Sequence, residues 1–308
     1  MKPCGPFKRN KGMDFKTRAL VWAGALMMGA ISGLFGFANA FSPVGVFNAL
    51  VPKDGGVTIE RNIPFGVHPR QKLDIYRPTN DETGLPVIYF SYGGGWESGD
   101  KEEYSFVGRA LAARGYVTVI ADYRLVPDVV YPDFVADNGL AVQWVTDTIG
   151  SYGGDPGRMV LMGHSAGAYN VMMLALDPEF GVDLSNVRAI VGLSGPYDFY
   201  PFDVSQSQNA FGDFPQPEQT QPVNLVSRDL PPVFLGHGDK DETVFLRNSV
   251  TLAEEMTESG IDVSLQIYEG ANHADTLVSM AMPLRWRYRV LDDVLAFLDA
   301  NAVSGPIP

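Results

Sequence analysis

Gly163-His164-Ser165-Ala166-Gly167 is the stretch on which the reading of the chain turns. An apolar run of strand length, residues 159–162, leads into it, and residues 166–176, rich in Ala, Leu and Met, follow it. Strand, sharp turn and helix form the setting in which G-x-S-x-G lifts a serine out of a sheet as a nucleophile elbow. The flanking glycines have a steric task, because at so tight a turn a Cβ two residues before or after the serine would strike neighbouring backbone. The Ser165 hydroxyl is therefore expected to point out of the sheet. The amide of Ala166 is expected at a helix N-terminus, where the dipole and free N–H groups favour a developing oxyanion. Glycine is common, so the pentapeptide alone is a weak signal and its context carries the reading.

Working outward, the runs 87–90, 117–120, 159–162, 189–193 and 233–235 are continuously apolar, as strands buried on both faces are. Residues 57–63 and 71–76 instead alternate apolar and polar side chains around a Gly/His/Pro turn, which reads as an antiparallel pair at a sheet edge. Residues 263–268 bring the strands to eight. Apolar spacing of three and four marks helices at 103–114, 133–149, 166–176, 243–259 and 284–300, with Gly115 and Gly260 as stops. Strands alternating with helices require right-handed crossovers, so the fold class is α/β: a mostly parallel, twisted, eight-stranded sheet flanked by helices. Ligands of such sheets bind beyond the carboxyl ends of the strands, which places site residues directly after apolar runs.

After the strand ending at Ser91 comes Tyr92-Gly93-Gly94-Gly95-Trp96. Serial glycines leave backbone N–H groups uncovered beside a ligand, so Gly94 and Gly95 are candidates, with Ala166, for an oxyanion hole. A serine needs a base to take its proton, and the chain has four histidines. His164 is locked inside the elbow and should point away from Ser165. His68 sits in the early edge-strand turn, and His237 ends a strand and should structure the loop behind it. His273, just after the last strand, is the remaining candidate. The acid is expected between serine and histidine in chain order. Asp241 is preferred there and Asp239 is the alternative; spacing does not separate them, and either could orient an imidazole and stabilise its cation.

Composition sets the frame. The chain has 308 residues, 45% hydrophobic and 19% charged, which suits one large α/β domain. Its net charge of −13 argues against nucleic acid and anionic membrane surfaces as partners of the globular part. Residues 1–40 hold six of the 23 basic residues and one of the 36 acids, leaving the remainder at −18. Residues 19–40 carry no charge and end in Ala38-Asn39-Ala40, an A-x-A-like cleavage site, so residues 1–40 read as a signal peptide. The rival reading is an uncleaved membrane anchor, since the apolar run approaches the roughly 20 residues that span a bilayer. Either reading predicts an exported domain, periplasmic or secreted, or held on the membrane through 19–40. The single cysteine, Cys4, precedes this run, so the exported part has no disulfide and no cysteine metal site.

Taken together, these motifs resemble the α/β-hydrolase superfamily, in the esterase and lipase branch that includes feruloyl-esterase-like and hormone-sensitive-lipase-like enzymes. The resemblance covers about residues 57–300, with a linker at 41–56 and the catalytic domain at 57–302. In those families the aspartate is the fifth residue of H-G-x-x-D, which maps to Asp241, and the histidine of G-x-x-H maps to His273. Asp122-Tyr123-Arg124-Leu125, with Pro127 and Pro132, is similar to a supporting stretch after the fourth strand. Tyr92 departs from the histidine usual before the three glycines, and the elbow's His164 departs from the aspartate of the hormone-sensitive-lipase-like group. The resemblance implies a serine carboxylesterase acting on a small-molecule ester, with an arylformamidase- or peptidase-like amide hydrolase as the alternative. Neither needs a metal or an organic cofactor. Residues 197–226 are too few for a large cap domain, which points to short- or medium-chain acyl or aryl esters. Tyr197 and Phe199, with Phe202, Phe211 and Phe214, would either line an apolar pocket or anchor this insertion on the core, and Trp96, beside the glycine loop, is a further candidate wall.

Overall fold

The computed structural model describes residues 42–80, 82–226, 229–303 and 305. The segment expected to direct export, residues 1–40, lies outside the described residues. Among the described residues, no helix is long and apolar enough to cross a membrane. The strands are β1 (Val57–Pro64), β2 (Lys72–Pro78), β3 (Leu85–Ser91), β4 (Val117–Ala121), β5 (Gly154–His164), β6 (Val187–Leu193), β7 (Val233–Gly238) and β8 (Val263–Tyr268). The helices are α1 (Pro43–Leu50), α2 (Ser105–Ala112), α3 (Asp133–Thr148), α4 (Ala166–Leu176), α5 (Ser205–Phe211), α6 (Arg247–Glu258), α7 (Asp275–Val278) and α8 (Val290–Ala300).

The eight strands form one sheet in the order β1-β2-β4-β3-β5-β6-β7-β8. β2 runs antiparallel to both β1 and β4, and the remaining pairs are parallel. Every residue of β3, β4 and β7 is buried, because helices cover both faces of the sheet. From β3 the chain moves one way to β4, then returns past β3 to β5 and continues the other way. The crevice between β3 and β5 is thus a topological switch point, where doubly wound sheets bind ligands. The loop after β3 holds the three glycines and the turn after β5 holds Ser165.

α4 is buried along its whole length, packed against β3, β5, β6 and α3, which explains its lack of a polar face. Its first turn meets the sheet with no room for side chains. A Cβ at Gly163 would lie 2.3 Å from the Gly167 carbonyl oxygen, and one at Gly167 would lie 2.0 Å from that of Ser91. Gly163 pairs with Ser91 on β3 and with Gly192 on β6, so the tight approach is built into the strand register.

The stretch expected as a linker is ordered and docked on the domain. Ser42 caps α1, accepting from the Gly45 amide at 2.9 Å, and Pro43 opens the helix. Phe47 packs edge-on against Phe106 of α2, 5.2 Å between ring centroids. Asp54 then binds Arg285 at 2.7 Å and Arg114 at 3.0 Å, tying this segment both to the C-terminal part and to the turn after α2. Eight residues form no stable helix in isolation, so packing decides α1, and local periodicity does not announce it.

Backbone contact at Gly167 makes a sharp expectation. Gly167→Ala should cost about 3 kcal/mol or more, lowering the Tm by about 6–12 °C. Gly150, exposed with nothing within 4 Å of an added Cβ, is the control. Gly150→Ala should stay within about 0.5 kcal/mol of the parent. Equal Tm values for the two variants would contradict the packing described.

Candidate active site

Ser165 leaves β5 at φ 55°, ψ −127°, a conformation that a non-glycine residue adopts only under constraint. The constraint comes from both sides: its amide donates to the Leu193 carbonyl at 2.9 Å, and its carbonyl accepts from Ala168 at 2.9 Å. Ala166 is the first residue of α4, so its N–H has no partner within the helix and lies at the positive end of the dipole.

His273 follows β8 on a loop tied from several directions. Asn272 Oδ1 accepts from the amides of Ala274 and Asp275, and Asp275 Oδ2 accepts from that of Asn272. The ring reaches Ser165 Oγ with Nε2 at 2.9 Å and Asp241 Oδ2 with Nδ1 at 2.8 Å. A carboxylate only accepts, so Nδ1 carries the proton and the Nε2 lone pair faces the serine hydroxyl. Asp241 is held in turn by the amides of Thr243 and Val244, each 2.9 Å from Oδ1. Burial alone would raise its pKa, but hydrogen bonds from His237 and His273 outweigh this and hold it below the ordinary carboxylate range. Asp239, the alternative from spacing, points elsewhere: its Oδ1 accepts from the Gly270 amide at 2.6 Å, bracing the histidine loop from outside.

The other histidines fall into place by their contacts. His237 is fully buried, with Nε2 at 2.8 Å from the Val244 carbonyl and 3.2 Å from Asp241 Oδ2, and Nδ1 at 2.7 Å from Ser249 Oγ. It shapes the loop that presents Asp241. His68 stays in the edge turn, accepting from the Arg70 amide. His164 turns away from the serine, and its Nε2 meets the His273 carbonyl at 3.0 Å.

Beside the serine runs the glycine loop. A Cβ at Gly93 would stand 2.8 Å from Ser165 Cβ, so Gly93, the glycine passed over in favour of Gly94 and Gly95, is the one pressed against the nucleophile. Gly94 and Gly95 have φ of 131° and 60°, and the Gly94 carbonyl accepts from Glu97 and Ser98 amides. Among the described residues, no protein acceptor takes the amides of Gly93, Gly94 or Gly95. Tyr92, standing in for the expected histidine, braces the loop. Its ring stacks between Tyr104 and Tyr123 at centroid distances of 5.0 and 4.9 Å. Its hydroxyl donates to Asp122 at 2.8 Å and accepts from Arg70 at 2.9 Å. Burial, reinforced by Asp122, raises the Tyr92 pKa well above its usual value, so it stays a neutral donor.

Two of the residues expected as pocket walls belong to the core. Trp96 is 4% exposed, its indole N–H bound to Asn170 and its ring packed on Phe134, Tyr169, Phe199 and Phe211. Tyr197 is 0% exposed, wedged against Gly192 and Gly195. Trp96, Tyr197 and Phe211 anchor the insertion 197–226, while Phe199, Phe202 and Phe214 keep part of their surface open. α5 then lies over the glycine loop, with Gln206 against Gly95 and Asn209 bound to Glu97 at 2.8 Å. Cavities of about 310 and 260 Å³ lie elsewhere, one between α6 and β8, the other near Gly55 and Pro78.

Burial of His164 also has a consequence for acid stability. Its pKa falls from 6.5 to about 3, first because burial opposes charging and then because His273 lies close by. The unfolded chain takes up this proton near 6.5 and the folded chain only near 3. Stability is therefore complete above about 6.5 and is lost as the pH falls, by up to about 1.4 kcal/mol per pH unit. Asp241 adds its own loss at lower pH, below the ordinary carboxylate range. Thermal melts from pH 7 to 4.5 should show the loss, and His164→Gln should flatten it. Identical slopes for the two proteins would contradict a neutral buried His164.

Comparison with known proteins follows from this geometry. A model of the BD-FAE family matches residues 73–256, more than half of the chain. The chain is 28% identical, over 96% of its own length and 74% of the relative's, to an Arabidopsis thaliana protein named isoprenylcysteine alpha-carbonyl methylesterase ICME. It is 29% identical to esterase LipC of Mycobacterium tuberculosis, over 72% of this chain and 61% of that one. Other such relatives are spanned over 52% to 64% of their length. The apo form of Thermogutta terrifontis esterase 2 superimposes with a TM-score of 0.68 at 25% identity, covering 83% of this chain and 98% of that one. Esterase B from Lactobacillus rhamnosis shares the fold, with a TM-score of 0.73 at 19% identity over 93% and 94% of the two chains. The family match runs from the second strand to the sixth helix and so encloses six of the eight strands, the elbow and Asp241: the chain belongs to the BD-FAE family, in the esterase branch of the α/β-hydrolases.

Proposed function

We propose that the protein is an exported serine carboxylesterase that cleaves small acyl or aryl esters through an acyl-enzyme. The observation that carries this reading is the pair of hydrogen bonds linking Ser165 Oγ, His273 and Asp241, at 2.9 and 2.8 Å. In the first half-reaction Ser165 Oγ attacks the ester carbonyl carbon while its proton passes to His273 Nε2. The carbonyl oxygen becomes an oxyanion, received by the Ala166 amide and by amides of the Gly94–Gly95 stretch. Collapse breaks the bond to the leaving alkoxide, which takes the proton from His273 and departs as an alcohol. Water then attacks the acyl-enzyme with His273 again as base, releasing the acid and returning the proton to Ser165. Asp241 keeps the imidazole in the correct tautomer and stabilises its cation without itself taking the proton.

Ester rather than amide cleavage is the reading favoured by the relatives, which carry the names methylesterase and esterase. A short or medium acyl group is favoured by the packing. Trp96 and Phe211 pack edge to face and are buried, and the partly open Phe199 and Phe202 pack on Phe211. The basic head and uncharged stretch before residue 41 support export.

Activity on p-nitrophenyl acetate, butyrate, octanoate and palmitate should fall from the short esters to palmitate, and a matched amide should react far more slowly. Ser165→Ala should lose about a millionfold in kcat and all labelling by a fluorophosphonate, with its circular dichroism unchanged. Asp241→Asn should lose about ten-thousandfold, because the carboxamide favours the wrong imidazole tautomer. Turnover near the parent level by Ser165→Ala would remove the mechanism, and a preference for palmitate would remove the acyl-length reading.

A further inference from the structure

The mechanism leaves unused the side chain directly before the nucleophile. His164 is 5% exposed, and its Nε2 lies 3.0 Å from the backbone carbonyl of His273. A carbonyl only accepts, so the His164 ring donates this hydrogen bond. The two rings stand 5.0 Å apart between centroids, tilted by 46°, so they touch without competing for Ser165 Oγ. A second donor, Thr276 Oγ1, reaches the same carbonyl at 3.3 Å and is itself bonded to Ser194 Oγ at 2.9 Å.

Position along the chain makes the first of these bonds informative. The loop before His273 is pinned from the β7 side, where Asp239 accepts from Gly270 and Lys240 donates to the Ala271 carbonyl. Those ties fix where the loop arrives, and Asn272 and Asp275 hold the turn on either side of His273, but the His273 carbonyl itself is held by His164 at 3.0 Å and by Thr276 at 3.3 Å. The His164 bond acts at that point. Its donor is covalently joined to Ser165, so one dipeptide carries the nucleophile and grips the residue that must accept the nucleophile's proton. The carbonyl of His164 also lies 3.1 Å from the place of a Cβ on Gly93, so the same residue is packed against the glycine loop.

We propose that His164 is a positioning residue: through its hydrogen bond to the His273 carbonyl it sets the distance between His273 Nε2 and Ser165 Oγ. It touches no substrate and transfers no proton. Burial keeps it neutral, so it remains a donor with an uncharged ring while His273 cycles between base and acid. The proposal rests on the serine mechanism above.

Three substitutions test it, assayed on p-nitrophenyl butyrate beside Ser165→Ala. His164→Phe keeps a ring of similar size and removes the donor. It should lower kcat by about a hundredfold, as a displacement of about an ångström does, with KM within about threefold of the parent. His164→Gln, whose amide nitrogen extends as far as Nε2, should recover kcat to within about fivefold of the parent. Should His164→Phe not fold, His164→Asn replaces it, since its amide is one methylene too short to reach the carbonyl. Asn should show the kcat loss that Gln escapes. Phe or Asn matching the parent in kcat, Gln no better than either, or a loss confined to KM would each overturn the proposal. If Ser165→Ala itself stays active, the serine mechanism has failed instead, so the two failures are told apart.

Discussion

Gly163, Gly167 and Gly93 leave no space for a Cβ between three backbone segments that meet around Ser165, and this contact sets the site. Gly163 closes on the Gly167 carbonyl, Gly167 on that of Ser91, and Gly93 on the serine's own Cβ. Ser165 is held at positive φ as a result, a conformation that costs about 1–3 kcal/mol for a non-glycine residue. Burial of β3, of β5 from Met159 onward and of α4 offsets that cost. Nucleophile and glycine loop therefore cannot move independently.

Polar contacts complete what close packing begins. Tyr92 replaces a ring nitrogen with a hydroxyl that sits between Arg70 and Asp122, and stacking on two tyrosines fixes its ring plane. Asp122 also takes the Lys101 amide, and the buried Lys101 ammonium lies between Asp122 and Asp74. Burial and the neighbouring Asp100 raise the Asp122 pKa, and donors from Tyr92 and Lys101 work against that rise. A buried network of this kind holds one geometry only while every member is paired. On the opposite side His237 and two backbone amides do the same for Asp241, and His164 does it for the main chain of His273.

Much of this was legible in the sequence because burial on both faces writes itself as continuous apolar runs, and β3 to β7 read that way. Ser165 and Asp241 follow such runs and His273 follows β8, and the structure brings the three together. What did not show was decided by contacts distant in sequence. α1 was read as a linker because eight residues offer too little periodicity, and its order comes from contacts with Phe106 of α2 and with the Glu102 carbonyl in the turn before it. Trp96 was read as a pocket wall and Tyr197 as either wall or anchor, because aromatic composition does not tell a lining from an anchor; both are anchors. Gly93 was passed over because three adjacent glycines look alike until one of them meets Ser165. His164 was seen to point away from the serine, but its partner, a backbone carbonyl 109 residues away, leaves no local pattern.

The most direct measurement is a crystal structure of the protein after reaction with a small alkyl phosphonate ester. Phosphorus bonded to Ser165 Oγ, with the phosphoryl oxygen within hydrogen-bonding distance of the Ala166 amide and of an amide of the glycine loop, is the predicted result. An adduct on another side chain, or on Ser165 with its phosphoryl oxygen turned to solvent, would contradict the account.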